Sequence, residues 1–359
     1  MNQRLAPARV PPPGRILVRE YEARGWTQKD LAEITGRPIQ TINEIVQAKK
    51  QITPETALEL AEAFGTSAEF WTNLEINYRL HQTRKATQKH EIGRKSKLYS
   101  LAPISELVKR GWLPVTDSLE ELENQVCDFF GIASIDESPK LAINFRCAQE
   151  RSPEAIAQLA WAKQVERVAR QQTVGAFDRG RLEAEIPSIL ACAEHLEDVS
   201  KVPELLRSLG VYFAIVPHLS KTYLDGAAFY LDGHPVVALT LRHDRIDSFW
   251  FTLMHELGHV VAGHQGSYLD DLTNLALTDE EAEANQLAAN WLIDPLALES
   301  FVMKNQPRFS RKAIEGFARS KKRHYGIILG RLHNEQQAPY GSLRSLLGKV
   351  SLYLMGESL

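Results

Sequence analysis

The sequence predicts an α+β fold that is mainly helical, and three observations carry that expectation. The first 80 residues break into short segments bounded by helix-capping residues. Residues 101–200 keep a helical period without strand-like runs. After Pro203 the period changes to β-branched and aromatic runs, and helices then return.

At the start, Pro11-Pro12-Pro13-Gly14 favours an extended entry, so 1–14 reads as a tail. Gly14–Gly25 reads as a helix, with Ile16, Leu17 and Tyr21 on one face and Gly25 where a C-cap belongs. Thr27 can N-cap a short helix to Ile34, Gly36-Arg37-Pro38 breaks it, and a third helix runs to about Val46. Thr53-Pro54 opens a fourth that ends at Gly65, and Ser67 opens a fifth carrying Phe70, Trp71 and Leu74. Residues 15–80 thus form a five-helix bundle, followed by a basic linker at 81–100, whose stretch Thr83–Lys97 reads as a linker or an exposed helix extension. Within a helical middle domain, 101–202, Ser118 and Glu121 suggest a capping box, and Pro153–Gln172 has a helical stripe through Ile156, Leu159, Trp161 and Val165. In 203–345, Val211–Val216, Gly226–Leu231 and Val236–Leu241 read as strands, the last two joined by Asp232-Gly233. Helices follow from Ser248, at Asp279–Leu292 and at Ser310–Ala318, and 346–359 is a tail.

With 359 residues, 44% hydrophobic and 24% charged, the composition is that of a globular chain of two or three domains and excludes collagen-like or wholly disordered classes. No run of about 18 apolar residues offers a membrane span, and no apolar signal region follows Arg4 and Arg9. Cys127, Cys147 and Cys192 match no disulfide or metal spacing, which suits buried thiols in a reducing cytoplasm. The net charge of −3 is uneven. Residues 1–97 hold 16 Lys/Arg against 11 Asp/Glu, and the remainder 26 against 34. A basic front on an acidic body suits a nucleic-acid module joined to another function.

The segment Gln28–Gln47 sharpens that expectation. Ala32 stands where two helices pack closely, Gly36 stands in the turn, and Leu31, Ile42 and Ile45 supply a buried wedge. Gln40, Thr41, Asn43 and Glu44 stay on the outer face of the second helix, where amides and hydroxyls can reach base edges in a major groove. Gln28 opens the preceding helix near a phosphate position, and Lys49 and Lys50 are placed for backbone contacts. From Pro12 to about Trp71, including Arg24-Gly-Trp-Thr-Gln28 and Ile52-Thr-Pro-Glu-Thr-Ala-Leu, the chain resembles HigA-type antitoxins of the Cro/C1-type (XRE) helix-turn-helix family. The resemblance implies a homodimer on a double-stranded DNA operator and autoregulation of a toxin–antitoxin operon.

The second motif is His255-Glu256-Leu257-Gly258-His259. Residues four apart lie about 40° apart around a helix, so both imidazoles leave one face and can share a Zn²⁺ at about 2.0–2.1 Å. Glu256 follows the first ligand and can take a proton from water at the ion. By composition, H-E-x-x-H is expected roughly 0.03 times in this chain, so the pattern is specific. A third ligand is required. His264 would fall about 140° around a continuing helix and is expected at the pocket rim or a helix end; Asp270 and Asp271 are possible ligands but sit in a loop with no fixing context. Among Glu280, Glu281 and Glu283, Glu281 is preferred. Ala284, three residues on, permits close packing, and Asn285, four on, can hydrogen-bond a ligand imidazole. Manganese could occupy the same ligands.

Phe249–His259, Glu281-Ala-Glu-Ala-Asn285 and Leu292-Ile-Asp-Pro295 resemble the ImmA/IrrE metallopeptidases over about residues 205–335. The resemblance implies a zincin-like HExxH domain with a small sheet. It also implies His255, His259 and Glu281 as zinc ligands, Glu256 as general base, and a DNA-binding repressor or toxin-system partner as protein substrate. Val236–Leu241 is expected to be an edge strand that aligns the substrate backbone.

Overall fold

A computed structural model describes residues 10–86, 89–137, 139, 152–264, 268–270 and 278–354. Cys147 and Asp271 lie outside these residues, and so does the side chain of Asp270. The chain divides into two compact units, Met1–Arg94 and Lys95–Leu359.

In the first unit, helices α1 (Pro13–Glu22), α2 (Gln28–Thr35), α3 (Ile39–Val46), α4 (Pro54–Phe64) and α5 (Ala68–Ala86) follow one another. Local chemistry sets their ends. Thr27 and Asp30 form a reciprocal capping box at α2, and Gly36 ends it at φ 65°, a conformation open to glycine without steric cost. Thr53 caps α4 with Pro54 in its first turn. Leu17, Leu31, Ile42, Leu60 and Trp71 are fully buried between the helices. Gly14 lets α1 lie against the C-terminal end of α3, because a Cβ there would stand 2.5 Å from the Ile45 carbonyl oxygen. The basic stretch 81–100, expected as a linker or an exposed helix extension, is helical in its described residues: α5 runs to Ala86, and α6 covers Lys89–Leu101. Gln, Lys, Arg and Ala all favour helix, and a charged surface does not interrupt one.

The second unit contains α7 (Ile104–Lys109), α8 (Leu119–Phe130), α9 (Pro153–Arg170), α10 (Arg179–Ala191) and α11 (Val202–Ser208), followed by β1 (Tyr212–Ile215), β2 (Gly226–Leu231) and β3 (His234–Leu239). Then come α12 (Ile246–Ala262), β4 (Tyr268–Asp270), α13 (Asp279–Leu292), α14 (Pro295–Asn305), α15 (Arg311–Ser320), α16 (Tyr325–Asn334) and the short α17 (Ser351–Leu354). The sheet order is β1-β3-β2-β4, with β1 parallel to β3 and the other pairs antiparallel. Val237, Leu239, Ala228 and Phe213 point to the core containing α12, whereas Val236, Ala238, Ala227 and Phe229 point to a core built with α8 and α9.

That two-sided cover corrects the expectation of a separate middle domain at 101–202. Helices α7, α8 and α9 close the second face of the sheet, with the Trp161 indole donating to the Val216 carbonyl at 2.8 Å, whereas α10 buries Leu182, Ile186, Ile189 and Leu190 in the core containing α12. A strand apolar on both faces must be covered on both.

The expected edge strand is also corrected. β3 lies between β1 and β2, so the edges of the sheet are β1 and β4. The two-residue turn at Asp232 (φ 52°) and Gly233 (φ 85°) sets His234 opposite Leu231, which starts β3 at His234, while Leu241 at φ 52° lies beyond its end at Leu239. Pro235, which has no N–H to donate, falls just before the first β1–β3 pair, Tyr212–Val236. Two helices were not anticipated. Asp294 caps α14 with Pro295 in its first turn, and His324 Nδ1 accepts from the Gly326 amide at the start of α16.

Candidate metal centre and nucleic-acid interface

Helix α12 is buried along most of its length, and His255, Glu256 and His259 expose 0%, 0% and 1% of their surface. One turn of the helix therefore holds three ionisable side chains out of water, where each needs a partner. His255 Nε2 and His259 Nε2 are 3.0 Å apart. Glu281 Oε2 arrives from the first turn of α13, 3.3 Å from His255 Nε2 and 3.7 Å from His259 Nε2. Ligands on a tetrahedral zinc at about 2.0–2.1 Å stand about 3.3–3.4 Å from one another, and the three separations bracket that value. His255, His259 and Glu281 form a group able to hold a metal ion.

The far sides of the imidazoles are also engaged. Asn285 Oδ1 is 3.1 Å from His255 Nδ1, so that nitrogen can donate and leave the Nε2 lone pair facing the centre. His259 Nδ1 is 2.9 Å from His264 Nδ1, and His264 Nε2 is 3.3 Å from Glu283 Oε2. Two imidazole lone pairs and a carboxylate then converge on one point, an arrangement suited to a cation. Burial acts to raise the Glu281 carboxyl, but hydrogen bonds with His255 and His259 outweigh it and hold the group well below the usual carboxylate range.

Close backbone approach makes this geometry possible. A Cβ at Gly258 would stand 3.3 Å from the Cα and carbonyl oxygen of Ala284, so α12 and α13 pack nearly backbone to backbone where Glu281 must reach across. Gly226, the first residue of β2, faces the Glu256 carboxylate, and a Cβ there would run into Glu256 Oε1. Gly226 thus lines the candidate site, a position that sequence reasoning missed. The only local sign was a glycine opening a strand, which marks close approach.

The structure brings together His255, His259, Glu281 and Asn285, and places Glu256 in the same helical turn against β2. It also sets His264, expected at the pocket rim or a helix end, beside His259. Gly263 ends α12 at φ 74°, and the His264 amide folds back to the His259 carbonyl at 3.1 Å, so the angular offset of a continuing helix does not apply. Glu280 is not part of the three-residue group, and Glu283 reaches it only through His264.

In the first unit, Gln40 and Asn43 are exposed on α3. Gln40 Nε2 donates to Glu44 Oε1 at 3.2 Å, and Gln47 Nε2 donates to Asn43 Oδ1 at 3.1 Å. Gln47 extends this amide-bearing face by one turn from Asn43, a spacing visible in the sequence but not used. Thr41 is half-buried, and Gln28 Nε2 lies 3.5 Å from the Tyr21 hydroxyl, also partly buried. Lys49 and Lys50 are exposed, and their amides donate to the Glu44 carbonyl at 2.8 and 3.1 Å, which fixes the loop at the end of α3.

The helix-turn-helix family matches residues 17–71, and the Peptidase U49 family matches residues 246–333, from the start of α12 into α16. Virulence-associated protein I of Dichelobacter nodosus is 36% identical over 77 residues, which are 21% of this chain and 71% of that protein. An uncharacterized HTH-type transcriptional regulator of Haemophilus influenzae is 40% identical over 63 residues, 17% of this chain and 59% of that protein. A solved structure of an addiction module antidote protein of the HigA family from Coxiella burnetii is 34% identical, with a TM-score of 0.22, and covers 23% of this chain and 90% of its own. The chain is thus a DNA-binding regulator with a peptidase-type domain attached. It belongs to the XRE-type helix-turn-helix family and carries a Peptidase U49 domain of the ImmA/IrrE kind.

Proposed function

We propose that the protein is an operator-binding regulator of the antitoxin type whose second unit is a zinc-dependent peptidase acting on a regulatory protein. The observation that carries the enzymatic half is the convergence of His255 Nε2, His259 Nε2 and Glu281 Oε2 within tetrahedral ligand spacing, one residue from a buried glutamate. Zinc held by these three residues would act as a Lewis acid on a water and on the scissile carbonyl. Asn285 and His264 hold the two imidazoles in the orientation that presents Nε2. Glu256 takes the proton of the attacking water and returns it to the amide nitrogen as the C–N bond breaks. With β3 internal, an extended substrate has no free edge there to pair with.

In the regulatory half, Gln40, Asn43 and their neighbours on α3 meet base edges, and Gln28, Lys49 and Lys50 meet phosphates. A two-fold operator calls for a homodimer. No helix among the described residues is long and apolar enough to cross a membrane, and the reading places the protein in the cytoplasm with its DNA.

A second reading is favoured by the complete burial of His255 and Glu256. In it the zinc site is a non-catalytic sensor or docking module of an antidote and autorepressor. Purified E256Q and H259A separate the two readings when incubated with the product of the neighbouring gene and assayed for bound zinc. On the peptidase reading, E256Q retains zinc and loses cleavage, and H259A loses both. Undiminished cleavage by protease-free E256Q would overturn the assignment.

A further inference from the structure

Charge in the second unit is sharply segregated. Residues 98–303 hold 15 Lys/Arg against 31 Asp/Glu, whereas the twenty residues 304–323 hold 8 against 1. The structure explains how the basic stretch is displayed. Helix α15 buries Ile314 and Ala318, and Phe317 stacks on Phe301 of α14 with ring centroids 4.4 Å apart. Its opposite face carries Lys312 and Arg319, both exposed, with Arg311 exposed in its first turn, Lys304 and Arg308 exposed before it and Lys322 exposed after it.

Three of the eight cations have internal partners. Arg323 donates to the carbonyls of Leu292, Trp291 and Leu190, Arg311 pairs with Glu315 at 2.7 Å, and Lys321 lies over the Phe317 ring. Lys304, Arg308, Lys312, Arg319 and Lys322 form no ion pair with any described residue. A helix and its flanks that gather five such cations on an otherwise acidic body carry an electrostatic cost, because no ion pair among the described residues offsets their mutual repulsion.

We propose that this face of α15 and its flanks is a second DNA-contacting surface that binds the phosphate backbone without reading sequence. The chain's own composition favours DNA over another polyanion. A helix-turn-helix unit in the same polypeptide raises the effective concentration of duplex at the second unit. A body with 31 acidic residues between 98 and 303 is repelled by a duplex carrying one negative charge per about 1.7 Å, and this basic face offsets that repulsion. The face thus adds affinity and also sets which side of the second unit turns to the DNA. Ser310 caps the α15 N-terminus, so the positive end of that helix lies beside Arg308, Arg311 and Lys312.

The test uses the full chain and a 40-base-pair duplex of arbitrary sequence, with binding measured across a salt series. Each phosphate that loses its cationic partner lowers the slope of log K against log salt by about 0.9. R308Q/K312Q/R319Q/K322Q is expected to reduce the slope by roughly 2 to 4 while its melting temperature stays at the wild-type value. K109Q/R181Q/R207Q/K349Q makes the same change in net charge at other exposed positions of the second unit and is expected to change the slope by less than about 1. An unchanged slope in the α15 variant, or an equal loss in both, overturns the proposal. So does a loss confined to an acidic peptide such as poly-glutamate. K49Q/K50Q reports on the first unit alone, so failure of the operator-binding reading is seen separately.

Discussion

Replacing Gly226 with alanine tests the core of the enzymatic reading with one methyl group. The alanine Cβ would stand 2.7 Å from Thr252 Cγ2 and 3.1 Å from Glu256 Cδ, and it would overlap Glu256 Oε1. Carbon atoms settle about 3.5–4.0 Å apart, so Thr252 or the strand must retreat by about 1 Å. Neither has room. β2 is paired on both sides at this residue, with Leu239 and with Asp270, and Thr252 and Glu256 are 5% and 0% exposed. Overpacking of this kind costs about 1–3 kcal/mol, which in a unit of this size lowers the melting temperature by roughly 2–10 °C. The carboxylate moves with the clash, and a 1 Å misplacement of a catalytic group costs about 100-fold in rate. The ligands themselves are not touched. G226A is therefore expected to keep its zinc by elemental analysis, melt several degrees lower by circular dichroism, and lose most of the cleavage seen in the wild type. A variant that melts within a degree of wild type and cleaves at the same rate would refute the placement of Glu256 against β2.

Other substitutions probe the remaining interactions. N285A and H264A each remove the group facing a ligand Nδ1, and each is expected to weaken zinc binding about 10- to 100-fold in a chelator competition while leaving the apo protein folded. On the first unit, Q40A and N43A are each expected to weaken operator binding by about 1–3 kcal/mol in gel-shift titrations, with little effect on duplexes of arbitrary sequence. His324 supplies a pH dependence remote from the metal centre. Burial pushes its imidazole down from 6.5 to about 4, so the folded state keeps it neutral. Stability from this group is complete above its unfolded pKa of about 6.5 and is lost as pH falls toward about 4, by up to about 3 kcal/mol. H324N, which retains an N-cap acceptor for α16, should flatten that part of the denaturation profile.

What the sequence makes legible here is what a few adjacent residues decide. Thr27 with Asp30, Gly36, Thr53-Pro54 and Ser118 mark their helix ends because a cap satisfies backbone groups within three or four residues of itself. The i, i+4 histidines belong to the same class, since one helical turn alone brings their rings together. The sheet does not. The hairpin of β2 and β3 follows from Asp232-Gly233, but nothing near β3 announces β1 as its second neighbour, so an internal strand reads as an edge. Helices α7 to α9 likewise read as independent because the sheet face they cover comes more than forty residues after α9.

The third ligand position lies between these cases. Acidic residues in the first turn of a helix are common, because they favour its dipole, and Glu280 and Glu281 are alike in that respect, with Glu283 just beyond them. They differ in their distance from Ala284. Only a small residue there can meet Gly258 at backbone range, and once that approach is made the helix rotation directs Glu281 to the histidines and leaves Glu283 to be reached through His264. If that packing selects the ligand, widening it should act on zinc through Glu281. G258A, whose added Cβ must gain a few tenths of an ångström from Ala284, should lower zinc affinity by pulling Glu281 outward. G258A combined with E281A should then lose no more zinc than E281A alone. Additive losses in the two variants would mean that Gly258 serves the helix pair and not the ligand.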